Sequence, residues 1–230
     1  MIRQEIKMLK KMRNTATETR SPGRRNVILF LAANPHDSSP LKLGDECAEI
    51  QRELRLAPHG DDFSFESRWA VGVDDFMRAL TELDPTVIHV SGHGGLGARL
   101  MLQDAHGLAQ PVVARALAMM VETAARSTRV VVLNACYSAE LADALRSRVD
   151  CVVGMEGAIG DAAARAFATR FYGALGNRRS IGNAVAQGKA ALVAKQLPDE
   201  QRPRCVTRDG VDARRLVLQT PARLARRRAS

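Results

Sequence analysis

Four short runs of this chain, 27–33, 86–91, 129–134 and 150–155, are dominated by Val, Ile and Leu and lack the polar alternation of a half-exposed strand. Runs of this length and composition read as strands buried on both faces. Between them lie segments of helical period. After Pro40, the residues Leu43, Cys47, Ile50 and Leu54 recur at steps of four, three and four, one apolar stripe. Asp45, Glu46 and Glu49 crowd its first turns, where acids complement the helix dipole. Phe76, Leu80 and Leu83 mark a short helix that Asp84-Pro85 stops. An alanine-rich helix over 111–125 is opened by Pro111, a favoured first helical residue. Further helices follow over 139–147, over a face formed by Ala164, Phe167, Ala168, Phe171 and Leu175, and over 180–197. Residues 62–69 give a weaker strand signal, and 214–219 reads as a last edge strand. Such alternation predicts an α/β domain with a mostly parallel sheet covered by helices on both sides, a three-layer α/β/α arrangement.

Hydrophobic residues make up 46% of the 230 and aromatics 4%, so the core is aliphatic and alanine-rich. The net charge of +9 is unevenly spread. Residues 1–25 hold eight Lys/Arg against two Glu, and 199–230 hold nine Arg against four acids. The intervening 26–198 carries 17 basic and 19 acidic residues. The expected organisation is therefore a basic leader (1–25), a slightly acidic body (26–198) and a basic C-terminal segment (199–230). Whole-chain basicity alone suggests nucleic acid as a partner. The distribution argues against it, because no basic stripe follows a folded element, and tail contact with an acidic partner stays open. No apolar run approaches the 18 or so residues of a membrane span, and the leader has no apolar core of a secretory signal. The four cysteines, Cys47, Cys136, Cys151 and Cys205, are widely spaced, which disfavours a disulfide framework or a cysteine-rich metal site. A reducing, cytoplasmic location is expected.

Sites in open α/β sheets form beyond the carboxyl ends of the strands. His93 ends the third run within Gly92-His93-Gly94-Gly95, and Cys136 ends the next in Asn134-Ala135-Cys136-Tyr137-Ser138. If those strands are neighbours, a histidine and a cysteine face one crevice, as a cysteine nucleophile requires. The glycines admit a substrate backbone closely. The backbone N–H groups of Gly94 and Cys136 are candidate oxyanion donors, each worth roughly 3–4 kcal/mol in a transition state. Read singly, Cys136 could be an ordinary core cysteine and His93 a surface residue; the pairing favours the catalytic reading. His89 and His93 are four apart, but on a strand that is about 13 Å, too far to share an ion. His89 is thus expected to be a packed or supporting residue, with Cys47 and Cys151 in the core.

Val87-Ile88-His89-Val90-Ser91-Gly92-His93-Gly94, followed by Val131-Val132-Leu133-Asn134-Ala135-Cys136-Tyr137-Ser138, resembles the CHAT family of caspase-like peptidases. Ile28-Leu29-Phe30-Leu31-Ala32-Ala33-Asn34-Pro35 and the stretch from Asp161 to Tyr172 fit it as well, so the resemblance covers about 26–197. It implies a caspase-like fold, peptide-bond cleavage through a cysteine thiolate, no cofactor, and protein or peptide substrates. Asn134-Ala135-Cys136-Tyr137-Ser138 departs from the caspase signature Q-A-C-x-G, which rules out a close caspase relative. In this clan the pocket for the residue before the cut lies at the ends of the first, fourth and fifth strands. Those ends offer Asp37, Asn134 and Glu156; two carboxylates and no arginine favour Arg or Lys there. Asp37 and Glu156 as solvated turn residues remain the alternative, and Asp161 is either a further pocket acid or a helix cap. The resemblance further implies a triggered effector, in bacterial defence or cell death, that answers to an activating partner or to its own processing. Arg20, Arg24, Arg25 and Arg226–Arg228 are then natural self-cleavage sites. A catalytically silent binding module of the same fold is the competing expectation.

Overall fold

A computed structural model describes residues 25–219, and Asn26–Gln219 form one compact unit. The leader up to residue 24 and Arg226–Arg228 lie outside the described residues. The elements run β1 (Asn26–Ala33), α1 (Leu43–Leu56), a 3-10 turn (Gly60–Asp62), β2 (Phe63–Arg68), α2 (Val73–Leu83) and β3 (Val87–Gly95). They continue with β4 (Arg99–Gln103), β5 (Ala109–Val113), α3 (Ala114–Ala124), β6 (Val130–Asn134), α4 (Ala139–Leu145) and β7 (Cys151–Met155). Last come α5 (Asp161–Gly176), α6 (Ile181–Ala194) and β8 (Pro203–Thr207).

The sheet order is β2-β1-β3-β6-β7-β8. The first five strands are parallel and β8 is antiparallel to β7. Because side chains alternate along a strand, each apolar run feeds two cores. Ile28, Phe30, Val130, Val132, Cys151 and Val153 join Ile50, Phe167, Phe171 and Ile181 from α1, α5 and α6 on one face. Leu29, Leu31, Val131, Leu133 and Val152 join Phe76, Leu80, Leu117, Val121, Leu141 and Leu145 from α2, α3 and α4 on the other. This is the three-layer α/β/α arrangement expected from the sequence, with the expected mostly parallel sheet at its centre.

Three expectations change. The helix read from Pro111 starts at Ala114; Pro111 lies in β5, opposite Met101 of β4. A strand paired on one edge tolerates a residue without an N–H, and β4 is the partner of β5 among the described residues. The β4–β5 hairpin turns at Asp104–Gly107, where Asp104 Oδ1 accepts from the N–H groups of His106 and Leu108 at 2.8 and 2.9 Å. Those two bonds hold the Asp104 carboxyl below the usual carboxylate range. The last edge strand is 203–207 and not 214–219. Leu216 and Leu218 are buried all the same, and the Leu216 carbonyl accepts from Ile181 N at 2.8 Å, so the segment closes the start of α6. The compact unit consequently runs to Gln219, past the bound of 198 given to the body.

Candidate active site

Ser91 of β3 and Asn134 of β6 are directly paired in the parallel ladder. His93 and Cys136 each lie two residues beyond that pair, so the register brings them level at the carboxyl ends of adjacent strands. Beyond Gly92, β3 leaves the parallel sheet, and His93, Gly94 and Gly95 pair antiparallel with Met101, Leu100 and Arg99 of β4. The hairpin missed in the sequence is thus what holds the histidine segment. A Cβ on Gly94 would stand 1.9 Å from the Cys136 carbonyl oxygen, so the two chain segments meet backbone to backbone there.

Both side chains line one pocket of about 40 Å³, with Ser91, Gly92, Asn134, Ala135, Ile159 and Asp161 around them. His93 Nε2 lies 2.9 Å from the Ser39 carbonyl. A carbonyl can only accept, so Nε2 donates to it, and in the neutral ring the lone pair then lies on Nδ1. Cys136 Sγ accepts from Ile159 N at 3.4 Å and faces the Ile159 carbonyl at 3.6 Å. The thiol therefore rests against the loop after β7.

Cys136 sits on a sharp strand-to-helix turn. Tyr137 takes a left-handed conformation, φ +55°, and its N–H donates to the Gly157 carbonyl at 2.9 Å. Such a backbone costs on the order of 1–3 kcal/mol in a residue with a Cβ and needs surrounding support. Ser138, fully buried, supplies it. Its hydroxyl donates to the Leu133 carbonyl and accepts from Met155 N, both at 2.8 Å, stitching the turn to β6 and β7.

Beneath the pocket lies a buried polar cluster. Glu46, 2% exposed, receives the Asn134 Nδ2 amide on Oε1 at 2.6 Å and the Ser91 hydroxyl on Oε2 at 2.5 Å. His89 Nε2 is 2.8 Å from the same Oε1, and its Nδ1 is 3.0 Å from the Tyr172 hydroxyl. With Nε2–H donating to the carboxylate, Nδ1 accepts from Tyr172, and both ring nitrogens are satisfied. The His89 ring stacks on Phe30 at 5.0 Å. Burial, and then the charge of Glu46, push the Tyr172 phenol well above its usual range. Asn134 also donates to the Ala164 carbonyl at 3.2 Å, while its buried Oδ1 has no partner among the described residues.

The residues read from the sequence fall in different places. His93, Gly94, Cys136 and Asn134 come together, and His89 packs below them. Asp37 and Glu156 are absent from the pocket lining. Asp37 accepts from Ala109 N at 3.0 Å and braces the hairpin. Glu156 is exposed and pairs through its backbone with Arg202. Asp161 does line the pocket; it is the first residue of α5, accepts from Lys42 N at 3.2 Å and faces Arg165 Nε at 3.3 Å. Glu46, Ser91, the Ser39 carbonyl and Ile159 were not read as site residues. No cluster of three or more His, Cys, Asp or Glu suited to a metal occurs among the described residues, and no helix among them is long and apolar enough to cross a membrane.

The family described as CHAT domain matches residues 1–208. A Roc-COR-CHAT protease from an unknown prokaryotic organism is 27% identical over 180 residues, which is 75% of this chain and 17% of that protein. A probable protease of Gillisia limnaea is 25% identical over 152 residues, 65% of this chain and 27% of the relative. The chain thus spans about a sixth to a quarter of the length of these curated relatives. Among solved structures, a secreted C11 cysteine protease from Bacteroides thetaiotaomicron, in complex with an irreversible peptide inhibitor, superposes with a TM-score of 0.58 at 15% identity, covering 74% of this chain and 59% of that one. The Arg-specific cysteine proteinase gingipain R superposes with a TM-score of 0.58 at 14% identity, covering 85% and 48%. These two share the fold. With a family match over most of its length, this chain belongs to the CHAT domain family.

Proposed function

We propose that the chain is a cysteine endopeptidase in which Cys136 attacks the scissile carbonyl and His93 moves the proton. The observation that carries this is one pocket lined by both side chains, at the ends of adjoining parallel strands, with the imidazole fixed through Nε2 on the Ser39 carbonyl. His93 Nδ1 takes the thiol proton and later delivers it to the leaving amine. The N–H groups of Cys136 and Gly94 receive the oxyanion. The curated relatives are named as proteases, which supports the same chemistry. The preferred residue before the cut is Arg or Lys. Supporting this, Asp161 and Glu46 line the pocket, and the unpartnered Asn134 Oδ1 awaits a donor. In this reading the domain is a triggered effector, cytoplasmic, acting in bacterial defence or cell death under an activating partner.

A silent binding module is the competing reading, and one observation favours it: Cys136 Sγ bonds Ile159 and not His93. Cleavage of fluorogenic peptides carrying Arg, Lys, Asp, Leu or Ala before the reporter, by wild type and Cys136→Ala, separates the two. Hydrolysis lost in the variant establishes the peptidase. No hydrolysis, together with no labelling of Cys136 by an arginine-based electrophile, leaves the binding module.

A further inference from the structure

Two cysteines that the proposed chemistry does not use lie in contact at the sheet edge. Cys151 of β7 and Cys205 of β8 have their sulfurs 3.2 Å apart. We propose that they form a redox modification site, closing to an intramolecular disulfide across the β7–β8 edge when the chain meets a disulfide or peroxide oxidant.

The register makes the contact. In the antiparallel ladder Cys151 pairs with Thr207 and Val153 with Cys205. Residues two apart on a strand share a face, so Cys151 and Cys205 are diagonal neighbours on one side of the sheet. Right-handed twist shortens one diagonal of such a pair and lengthens the other. Both sulfurs face the layer that holds α5 and α6. Closing to the roughly 2.0 Å of a disulfide brings the sulfurs about 1 Å closer.

The two thiols are unequal in the way an oxidisable pair needs. Cys205 is half-buried on the outermost strand, where a small oxidant reaches it; Cys151 is fully buried, with Cys205 beside it. The hydrogen bond shared with Cys151, and then nearby Lys189, lower the Cys205 thiol below its ordinary range. The same hydrogen bond, and then burial, raise Cys151. Cys205, the more accessible of the two, is therefore the first nucleophile and Cys151 the resolving thiol. With glutathione disulfide, the Cys205 thiolate attacks one sulfur and expels a glutathione thiolate. Cys151 gives its proton to that thiolate or to solvent and displaces the second glutathione from Cys205. Two protein thiols lose two electrons, and one glutathione disulfide becomes two glutathiones.

The bridge acts on a strand that reaches the site. The β7–β8 ladder ends at Met155 and Pro203. The next residues are joined by Glu156 N donating to the Arg202 carbonyl at 2.7 Å, and Gly157 holds the Tyr137 N–H beside Cys136. Linking β8 to β7 stiffens the segment against which the Cys136 turn leans.

The test is to expose the folded full chain to glutathione disulfide, trap free thiols with N-ethylmaleimide, and map the peptides by mass spectrometry. The mapping is run on wild type and on Cys136→Ser. The expected result is a linked Cys151–Cys205 peptide two hydrogens lighter than the reduced pair, Cys47 free, and a raised unfolding midpoint that dithiothreitol reverses. Cys205→Ser should give no link. Glutathione retained on Cys205, or both thiols still trapped by maleimide under conditions that link them in the urea-unfolded chain, would overturn the proposal. The mapping on wild type stands whether or not the variants fold, and whether or not the chain is a peptidase.

Discussion

The carboxylate of Glu46 receives the amide of Asn134 at 2.6 Å, so a side chain from the first turns of α1 holds the strand end two residues before Cys136. Its other oxygen holds Ser91, two residues before His93. One buried acid thus ties together the ends of the two strands that carry the proposed dyad. Removing it strands three donors or acceptors in the core, each costing about 1–3 kcal/mol. Glu46→Ala is expected to lower unfolding stability by roughly 3 kcal/mol or more. Glu46→Gln keeps the shape and one acceptor, and is expected to cost about half as much. Urea unfolding read by circular dichroism decides it; an alanine variant within about 0.5 kcal/mol of wild type would mean the cluster contributes nothing to stability.

An acid in the first turn of a helix has a generic explanation in the helix dipole. The contrary signal was position: Glu46 stands three after Leu43 and four before Ile50, on the apolar stripe itself. The sheet was legible because its runs are apolar on both faces, and His93 and Cys136 because each ends such a run beside small or turn residues. The β4–β5 hairpin was hidden because Pro111 precedes an alanine-rich helix and mimics its first residue. Leu100 and Leu102 alternating before Asp104–Gly107 were the overlooked hairpin signal. Asp37 and Glu156 were placed by the resemblance and by their position at strand ends. Loop paths, which strand order does not set, turn Asp37 to the hairpin and Glu156 to Arg202.

Tyr172 gives the same cluster a pH signature. Its phenol is raised in the folded state by burial and by the Glu46 charge. An acid with a raised folded value contributes its stability below the unfolded tyrosine value of about 10, and loses it as pH climbs beyond that. Above pH ~10 the wild type should lose about 1.4 kcal/mol per pH unit from this group. Tyr172→Phe lacks that loss. At pH 8 the variant should be weaker by roughly 1 kcal/mol, because His89 Nδ1 loses its donor. By pH 11 the gap should close. Parallel stability curves from pH 8 to 11 would show that the phenol is not held neutral by folding.

Two glycines separate local strain from site geometry. A Cβ at Gly94 meets the Cys136 carbonyl at 1.9 Å, so the two segments must part. Gly94→Ala is expected to cost about 1–3 kcal/mol in stability and to lower kcat/KM on the cleaved peptide about 100-fold. Gly44→Ala, on α1 with nothing within 4 Å of the added methyl, should gain up to about 1 kcal/mol. Equal kcat/KM for Gly94→Ala and wild type would remove the close backbone approach from the catalytic argument.

Charge at the pocket rim separates the acids the structure places there from those it does not. Asp161 lines the pocket and keeps its position through Lys42 N and Arg165. Asp161→Asn preserves size and one acceptor while removing the charge. If a basic residue enters this pocket, kcat/KM for Arg and Lys peptides should fall roughly tenfold or more, with little change for a Leu or Ala peptide. Asp37→Asn and Glu156→Gln, both outside the lining, should stay within about twofold of wild type. The opposite ranking, with Asp37 or Glu156 dominating, would mean that the loops after β1 and β7 rearrange around a bound peptide. A uniform fall for all peptides in Asp161→Asn would assign Asp161 to holding Lys42 and the start of α1, and leave specificity to Glu46 and Asn134.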